Sequence, residues 1–325
     1  FATGIPAQAM SYFSAASLII VIPSGIQFFA WIGTMWGGKV ALTTPMLFGL
    51  GFLLIFLLGG ITGAMVAVMP FDWQVTDSYF IVAHFHYTLN GAVVFPIFAA
   101  LYFWLPKMTG RMLSERLGKW SFWTMFVGFN VTFFPMHILG LMGMPRRIYT
   151  YPDGLGWSGL NMLVSIGSLV FATGTGLTLW NLIWSWRRGQ PAPPNPWDAD
   201  TLEWSTTSPP PEWNFEKVPV IGSRHPLWDE GGLTYAESGT DAATVSLGTP
   251  GARARQTPVG TAVEARPEAT MSIPEESYLP FLVALGIGIV FVGLLVEAAL
   301  VGILGLAVGA FAIVRWAWRT EADLV

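Results

Sequence analysis

The sequence predicts an all-α fold, a polytopic transmembrane helix bundle, and three observations carry that prediction. Charged residues are 11% of the chain and hydrophobic residues 53%, with a mean hydropathy of +0.54, whereas soluble domains hold about 25% charge. Five apolar segments, at 11–33, 46–69, 78–104, 119–143 and 158–184, each meet the length of roughly 20 residues that crosses a hydrocarbon core. Basic residues gather in alternate turns, as the positive-inside rule expects of short loops.

Taken in order, the turn after the first span carries Lys39 and the third turn carries Lys107, Arg111, Arg116 and Lys119. The segment after the fifth span opens with Arg187 and Arg188. These turns are assigned to the cytoplasmic side. The second turn, 70–76, has no basic residue and contains Asp72, which makes it external. From 186 to 276 the chain is polar and rich in Pro and Gly, with Ser208-Pro209-Pro210-Pro211 followed by a stretch poor in bulky apolar residues at 231–268. Such a composition buries too little to fold alone and reads as a cytoplasmic segment and linker. Trp197, Trp204, Trp213 and Phe215 within it could still pack against the bundle, and His225 is read as a solvated or packing residue. The last apolar run, 279–314, holds one charge, Glu297, near its centre. One straight helix of that length would overshoot the bilayer, so a hairpin of two short spans turning near Glu297 is expected, with Arg315 and Arg319 returning it inside. The predicted organisation is a membrane bundle at 1–185, a linker segment at 186–276 and a hairpin extension at 277–325.

Composition also excludes. No cysteine is present, which removes disulfides, thiolate zinc sites and iron–sulfur clusters. Any metal must use His, carboxylate or carbonyl ligands. The net charge of −4 does not suggest a nucleic-acid partner, and no internal repeat, phosphate loop or nucleophile triad is found.

The most informative motif is His84-Phe85-His86-Tyr87 inside the third span. Residues i and i+2 of an α-helix are turned about 200° apart, so the two imidazoles leave on nearly opposite sides and one helix serves two sites. A single metal wants His at i and i+3 or i+4; this spacing suits two large planar cofactors, with two haems the natural candidates. The plainer reading is a pair of hydrogen-bonded core histidines, but ionisable groups inside a membrane are costly and by default functional. A second feature is the basic pair Arg146-Arg147 on the external side, against the charge rule. Guanidinium groups there need an anionic partner: haem propionates, or else lipid phosphate or a neighbouring subunit.

Four motifs then occur in order: His84-Phe85-His86-Tyr87; Asn130-Val131-Thr132-Phe133-Phe134-Pro135-Met136-His137; Gly143-Met144-Pro145-Arg146-Arg147 with Tyr151-Pro152-Asp153; and Asn195-Pro196-Trp197 through Leu202-Glu203-Trp204 to Ser208-Pro209-Pro210-Pro211. Together they closely resemble subunit I of the haem–copper terminal oxidases, the cytochrome c oxidase type, over residues 1–225. The last two argue against the nitric oxide reductases, which share mainly the His-x-His helix.

The resemblance implies a twelve-helix protein whose last five helices are the five spans here, so that the chain starts just after two adjacent copper-ligating histidines and Phe1 is interior to a longer protein. It matches His84 to the axial ligand of the oxygen-binding high-spin haem and His86 to one axial ligand of the low-spin haem. The other low-spin ligand, the copper ligands and a cross-linked tyrosine would belong to the upstream half. Arg146 and Arg147 match the propionate-binding pair, and Asp72 falls in the propionate region. In the family a His-Asp pair ahead of the haem helix helps bind magnesium or manganese. Here it reads Thr76-Asp77, which leaves Asp77 alone and a bound magnesium in question. The stretch Ile22-Pro23-Ser24-Gly25-Ile26-Gln27 resembles one in which a lysine serves a proton channel; Gln27 replaces it, either holding waters by hydrogen bonds or only bonding a neighbouring helix.

The implied function is reduction of O2 to water at a haem–copper centre with coupled proton translocation. The implied partners are the upstream half of subunit I, subunits II and III, cytochrome c or quinol as donor, and membrane lipid. The final hairpin loosely resembles small two-helix subunits or carboxy-terminal extensions of bacterial oxidases, which points to a bacterial plasma membrane. A nitric oxide reductase-like enzyme and a non-catalytic split or truncated subunit are the rival expectations.

Overall fold

The structure is a computed structural model that describes residues 1–211, 219–235, 256–260, 267–272 and 277–317. Trp213, Phe215, Arg319 and most of the 231–268 stretch lie outside the described residues. The first of two units is Phe1–Pro209 and the second Pro210–Val325.

The first span is two helices, α1 (Ala7–Ile19) and α2 (Val21–Met35), broken at Ile20 where a continuous helix was expected. Pro23 explains the break: it has no N–H for the Ile19 carbonyl and its ring crowds that carbonyl. Ile20 N instead closes a tighter turn on Ser17 O at 3.3 Å. The second span is α3 (Thr44–Ala67), started by Pro45, whose missing N–H costs nothing in a first helical turn. The second turn contains a short helix, α4 (Met69–Val75), which hydropathy alone did not indicate. The third span starts at the Ser78 N-cap and runs through α5 (Tyr79–Leu89), a π-turn (Asn90–Val94) and α6 (Phe95–Thr109). Pro96 follows the π-turn, where an α-helical register would set its ring against the Ala92 carbonyl. The fourth and fifth spans are α7 (Glu115–Leu141), capped by Ser114, and α8 (Ser158–Arg188).

Side-chain bonds show which turns share an end. At one end Thr44 N and Oγ1 each donate to Glu115 Oε2 at 3.0 Å, and Ser114 N donates to Asn181 Oδ1 at 3.0 Å. The turns carrying Lys39 and Arg111 and the start of the segment after α8 therefore lie together, as the charge pattern required. At the other end Ser14 Oγ donates to Ala67 O at 2.7 Å, and Tyr79 N donates to Met144 O at 2.9 Å. Between them the core is aromatic: Phe48, Tyr87, Phe95, Tyr102, Phe122 and Phe129 are buried together.

The segment after α8 folds back on the α6–α7 turn. Met112 N donates to Gln190 O at 2.8 Å, Ala192 N to Gly110 O at 2.9 Å, and Trp197 Nε1 to Phe103 O at 2.8 Å. Lys107 is buried rather than free in its turn: Nζ donates to Pro194 O at 3.1 Å and Thr206 O at 2.5 Å, and it lies 5.7 Å from the Trp204 ring centre. Trp204 is itself buried.

In the second unit β1 (Pro219–Ile221) pairs antiparallel with β2 (Leu233–Tyr235), and β3 (Gln256–Gly260) with β4 (Pro267–Ser272). The expected hairpin is present as α9 (Leu279–Leu295) and α10 (Ala299–Ala317), turning at Glu297 with φ +53°. A Cβ on Gly286 would come within 2.6 Å of the Gly309 backbone, the close approach that small residues permit between membrane helices. Among the described residues, six helical segments are long and apolar enough to cross a membrane, while Leu279–Leu295 is shorter at 17 residues. The chain is a multi-pass membrane protein.

Candidate functional site

Helix α5 packs closely against two neighbours, α3 and α7. A Cβ on Gly59 of α3 would lie 2.9 Å from the Tyr87 carbonyl carbon, and one on Gly140 of α7 would lie 2.0 Å from Phe80 N. Only glycine lets these backbones approach so closely. Tyr87 OH completes the seam to α7, donating to Asn130 Oδ1 at 2.8 Å.

Held this way, α5 sends its two histidines to different neighbours. His84 turns to α3, with Nδ1 3.0 Å from Thr62 Oγ1. The Thr62 hydroxyl spends its proton on the Leu58 and Gly59 carbonyls, each at 3.0 Å, so it accepts from His84 Nδ1–H. His86 turns to α7, its ring stacked on Phe133 with centres 4.0 Å apart and planes at 14°. His86 Nδ1 lies 2.7 Å from Val82 O; a carbonyl only accepts, so Nδ1 carries the proton. In the neutral tautomer that these Nδ1 contacts favour, each ring offers Nε2 as its acceptor nitrogen. A nitrogen fixed this way by a bond at the other ring position is how proteins prepare histidine to ligate a metal. Gly63 makes room for the His84 ring: a Cβ there would sit 3.1 Å from Cε1. The two imidazoles thus fit the role of haem-iron ligands.

His137, part of a sequence motif without an assigned role, is 8% exposed. Its ring lies 4.9 Å from Phe80 and 5.3 Å from Tyr87, centre to centre, and Nε2 has no hydrogen-bond partner among the described residues.

At the end of the bundle opposite Glu115 the 76–79 and 144–147 loops are stitched together. Arg146 N donates to Asp77 O at 2.9 Å, Arg146 Nε to Asp77 Oδ1 at 2.7 Å, and the two form an ion pair. Asp77 (φ +56°) and Arg147 (φ +65°) both hold left-handed backbone, which non-glycine residues adopt at a cost and chiefly at functional sites. Asp77 is thus the anionic partner of Arg146 in this chain. Arg147 is exposed and has no ion-pair partner among the described residues. Asp72 is buried at the same end, and burial raises its carboxyl above the usual value of 3.8.

Ser24 and Gln27 are exposed on α2. The Ser24 hydroxyl donates to Ile20 O of its own helix at 2.9 Å rather than to Gln27. Among the described residues no three His, Asp or Glu side chains gather as a metal site. Thr62, Gly63 and the Val82 carbonyl were not found by motif reading, and Phe133 stood in a motif without an assigned role. Hydroxyl, glycine and aromatic residues are too common in membrane helices to mark themselves.

A family of known proteins, "Cytochrome C and Quinol oxidase polypeptide I", matches residues 1–170. The chain belongs to this family. It is 48% identical over 231 residues to a probable cytochrome c oxidase subunit 1-beta of Nocardia farcinica, covering 70% of this chain and 39% of that protein. It is 41% identical over 288 residues to cytochrome c oxidase subunit 1 of Alkalihalophilus pseudofirmus, covering 88% and 42% respectively. To cytochrome c oxidase subunit 1 of Synechocystis sp. it is 49% identical over 221 residues, covering 68% and 40%. The chain spans about two fifths of the length of these curated relatives. Membership in an oxidase subunit I family implies haem and copper as cofactors.

Proposed function

We propose that this chain forms the haem-binding carboxy-terminal part of subunit I of a terminal oxidase that reduces O2 to water and couples this to proton translocation. The observation that carries the proposal is the pair of imidazoles on one helix, His84 against Thr62 of α3 and His86 against Phe133 of α7, each with Nδ1 engaged. Haem iron, when bound, supplies the electron transfer and oxygen chemistry.

The chain's own residues position, orient and neutralise. His84 is assigned to the high-spin haem and His86 to the low-spin haem. Thr62 and the Val82 carbonyl each take an Nδ1–H, which fixes the ring plane and makes Nε2 the more basic ligand. Phe133 holds the His86 ring by stacking and excludes water from that side. Arg147, without an ion-pair partner among the described residues, and Arg146, steadied by Asp77, are assigned to propionates, where a charge-assisted bond contributes roughly 1.5–3 kcal/mol. Asp72 lies in the same region. Magnesium is not assigned: Thr76 offers no carboxylate or imidazole, and Asp77 is engaged by Arg146. Ser24 and Gln27 are the candidates for a proton path on α2. Copper and the second ligand of the low-spin haem are assigned to the upstream half of subunit I, with subunits II and III as further partners and cytochrome c or quinol as donor. Residues 1–185 are the haem-binding bundle and 277–325 a membrane extension, both in a bacterial plasma membrane in keeping with the bacterial relatives, and 186–276 is the cytoplasmic segment.

The test is metal content and gas chemistry of the assembled enzyme. Expected are haem iron together with copper, and O2 uptake that His84→Ala abolishes. Iron without copper, with nitric oxide as the gas consumed, would overturn the oxidase reading.

A further inference from the structure

A cavity of about 610 Å³ opens between the ends of α2, α3 and α6, against Trp197. Its volume lies in the range of small-molecule sites, about 300–1,000 Å³. Met46, Phe52, Ala99 and Trp104 supply an apolar wall, and Lys39 contributes to the lining as its cation. The Trp197 wall is fixed in place by the bond from Nε1 to Phe103 O. Lys39 is exposed and has no ion-pair partner among the described residues. The cavity lies at the end of the bundle that gathers Arg111, Arg116, Lys119, Arg187 and Arg188, which is the end that faces an anionic leaflet. Trp104, 46% exposed, is the kind of side chain found at the headgroup level.

We propose that this cavity is a binding site for an anionic phospholipid, its phosphate against Lys39 and an acyl chain along Phe52, Ala99 and Trp104. Charge complementarity selects the occupant: an apolar wall alone would take any alkyl chain, but an unpaired ammonium at its mouth favours a lipid with net negative charge. A zwitterionic lipid offers the same chains with no net attraction.

The experiment is native mass spectrometry of the assembled enzyme, titrated with phosphatidylglycerol or phosphatidylcholine, for the unaltered protein, Lys39→Gln and Gly49→Phe. A Cβ on Gly49 meets nothing within 4 Å, and that residue lines the cavity, so phenylalanine there fills it. Lys39→Gln should weaken phosphatidylglycerol binding about fivefold, equivalent to about 1 kcal/mol for one surface cation, and leave phosphatidylcholine unchanged. Gly49→Phe should remove one retained lipid of either kind. Equal retention in the unaltered protein and Lys39→Gln would overturn the proposal, and Lys39→Gln is an exposed change that spares folding. A density map of the enzyme with protein filling the cavity would also overturn it.

Discussion

Gly63→Ala should disturb the haem assigned to His84 and spare that assigned to His86. The added Cβ would lie 3.1 Å from His84 Cε1, while ordinary carbon contacts are about 3.5–4.0 Å. The ring or α3 must therefore give by a few tenths of an ångström, a sizeable part of the tolerance of about 0.5 Å that a preorganised site allows. Overpacking costs about 1–3 kcal/mol, offset by the 0.5–1 kcal/mol, roughly, that alanine gains over glycine in a helix. Gly60→Ala is the control: it has the same helix-propensity gain, and a Cβ there meets nothing within 4 Å. Optical and carbon monoxide difference spectra of both variants, with thermal unfolding, form the assay. Gly63→Ala should alter or reduce the high-spin, ligand-binding haem with the low-spin band intact, and Gly60→Ala should alter neither. Identical spectra for the two variants would refute the view that Gly63 sets the position of the His84 ring.

Lys107→Met should loosen the 190–209 segment, because the carbonyls of Pro194 and Thr206 lose their donor at about 1–3 kcal/mol for each one left dry; limited proteolysis between 190 and 209 should become faster. Asp72 has a raised carboxyl pKa from burial, so its neutral form is favoured in the fold. The stability it contributes is full below the unfolded value of 3.8 and is lost as pH rises through the raised value; Asp72→Asn should remove that part of the pH dependence of unfolding. Gln27→Leu should change turnover little, since the Ser24 hydroxyl bonds its own helix rather than joining a chain with the amide; a large fall in active-site reduction would show that Gln27 holds waters.

Much of the fold was legible because hydropathy and loop charge are the forces that place membrane helices. The five bundle spans and the turn at Glu297 follow from them directly. Local backbone chemistry was harder to see. Pro23 was visible, but whether it kinks or divides a helix depends on the packing around it, and the division at Ile20 appears only in three dimensions. The π-turn at Asn90–Val94 has no hydropathy signature. At the site, the opposite headings of His84 and His86 follow from helix geometry alone, whereas their partners on α3 and α7 are separated from them in sequence by more than 20 residues. The pairing of Arg146 with Asp77 shows the same limit: the need for an anion was legible from the charge rule, but not that a carboxylate of the chain itself meets that need. Lys107, counted among the turn cations, is covered by a Pro-rich segment whose aromatics Trp197 and Trp204 hinted that it could pack on the bundle, but nothing in its composition pointed to Lys107 as the residue it covers.

The most direct measurement is low-temperature electron paramagnetic resonance, read with optical spectra, on the assembled enzyme carrying His84→Ala or His86→Ala. His86→Ala should abolish the low-spin haem signal and leave a high-spin pocket that still binds carbon monoxide. His84→Ala should do the reverse. Loss of the same haem in both variants would contradict the assignment of one helix to two separate haems.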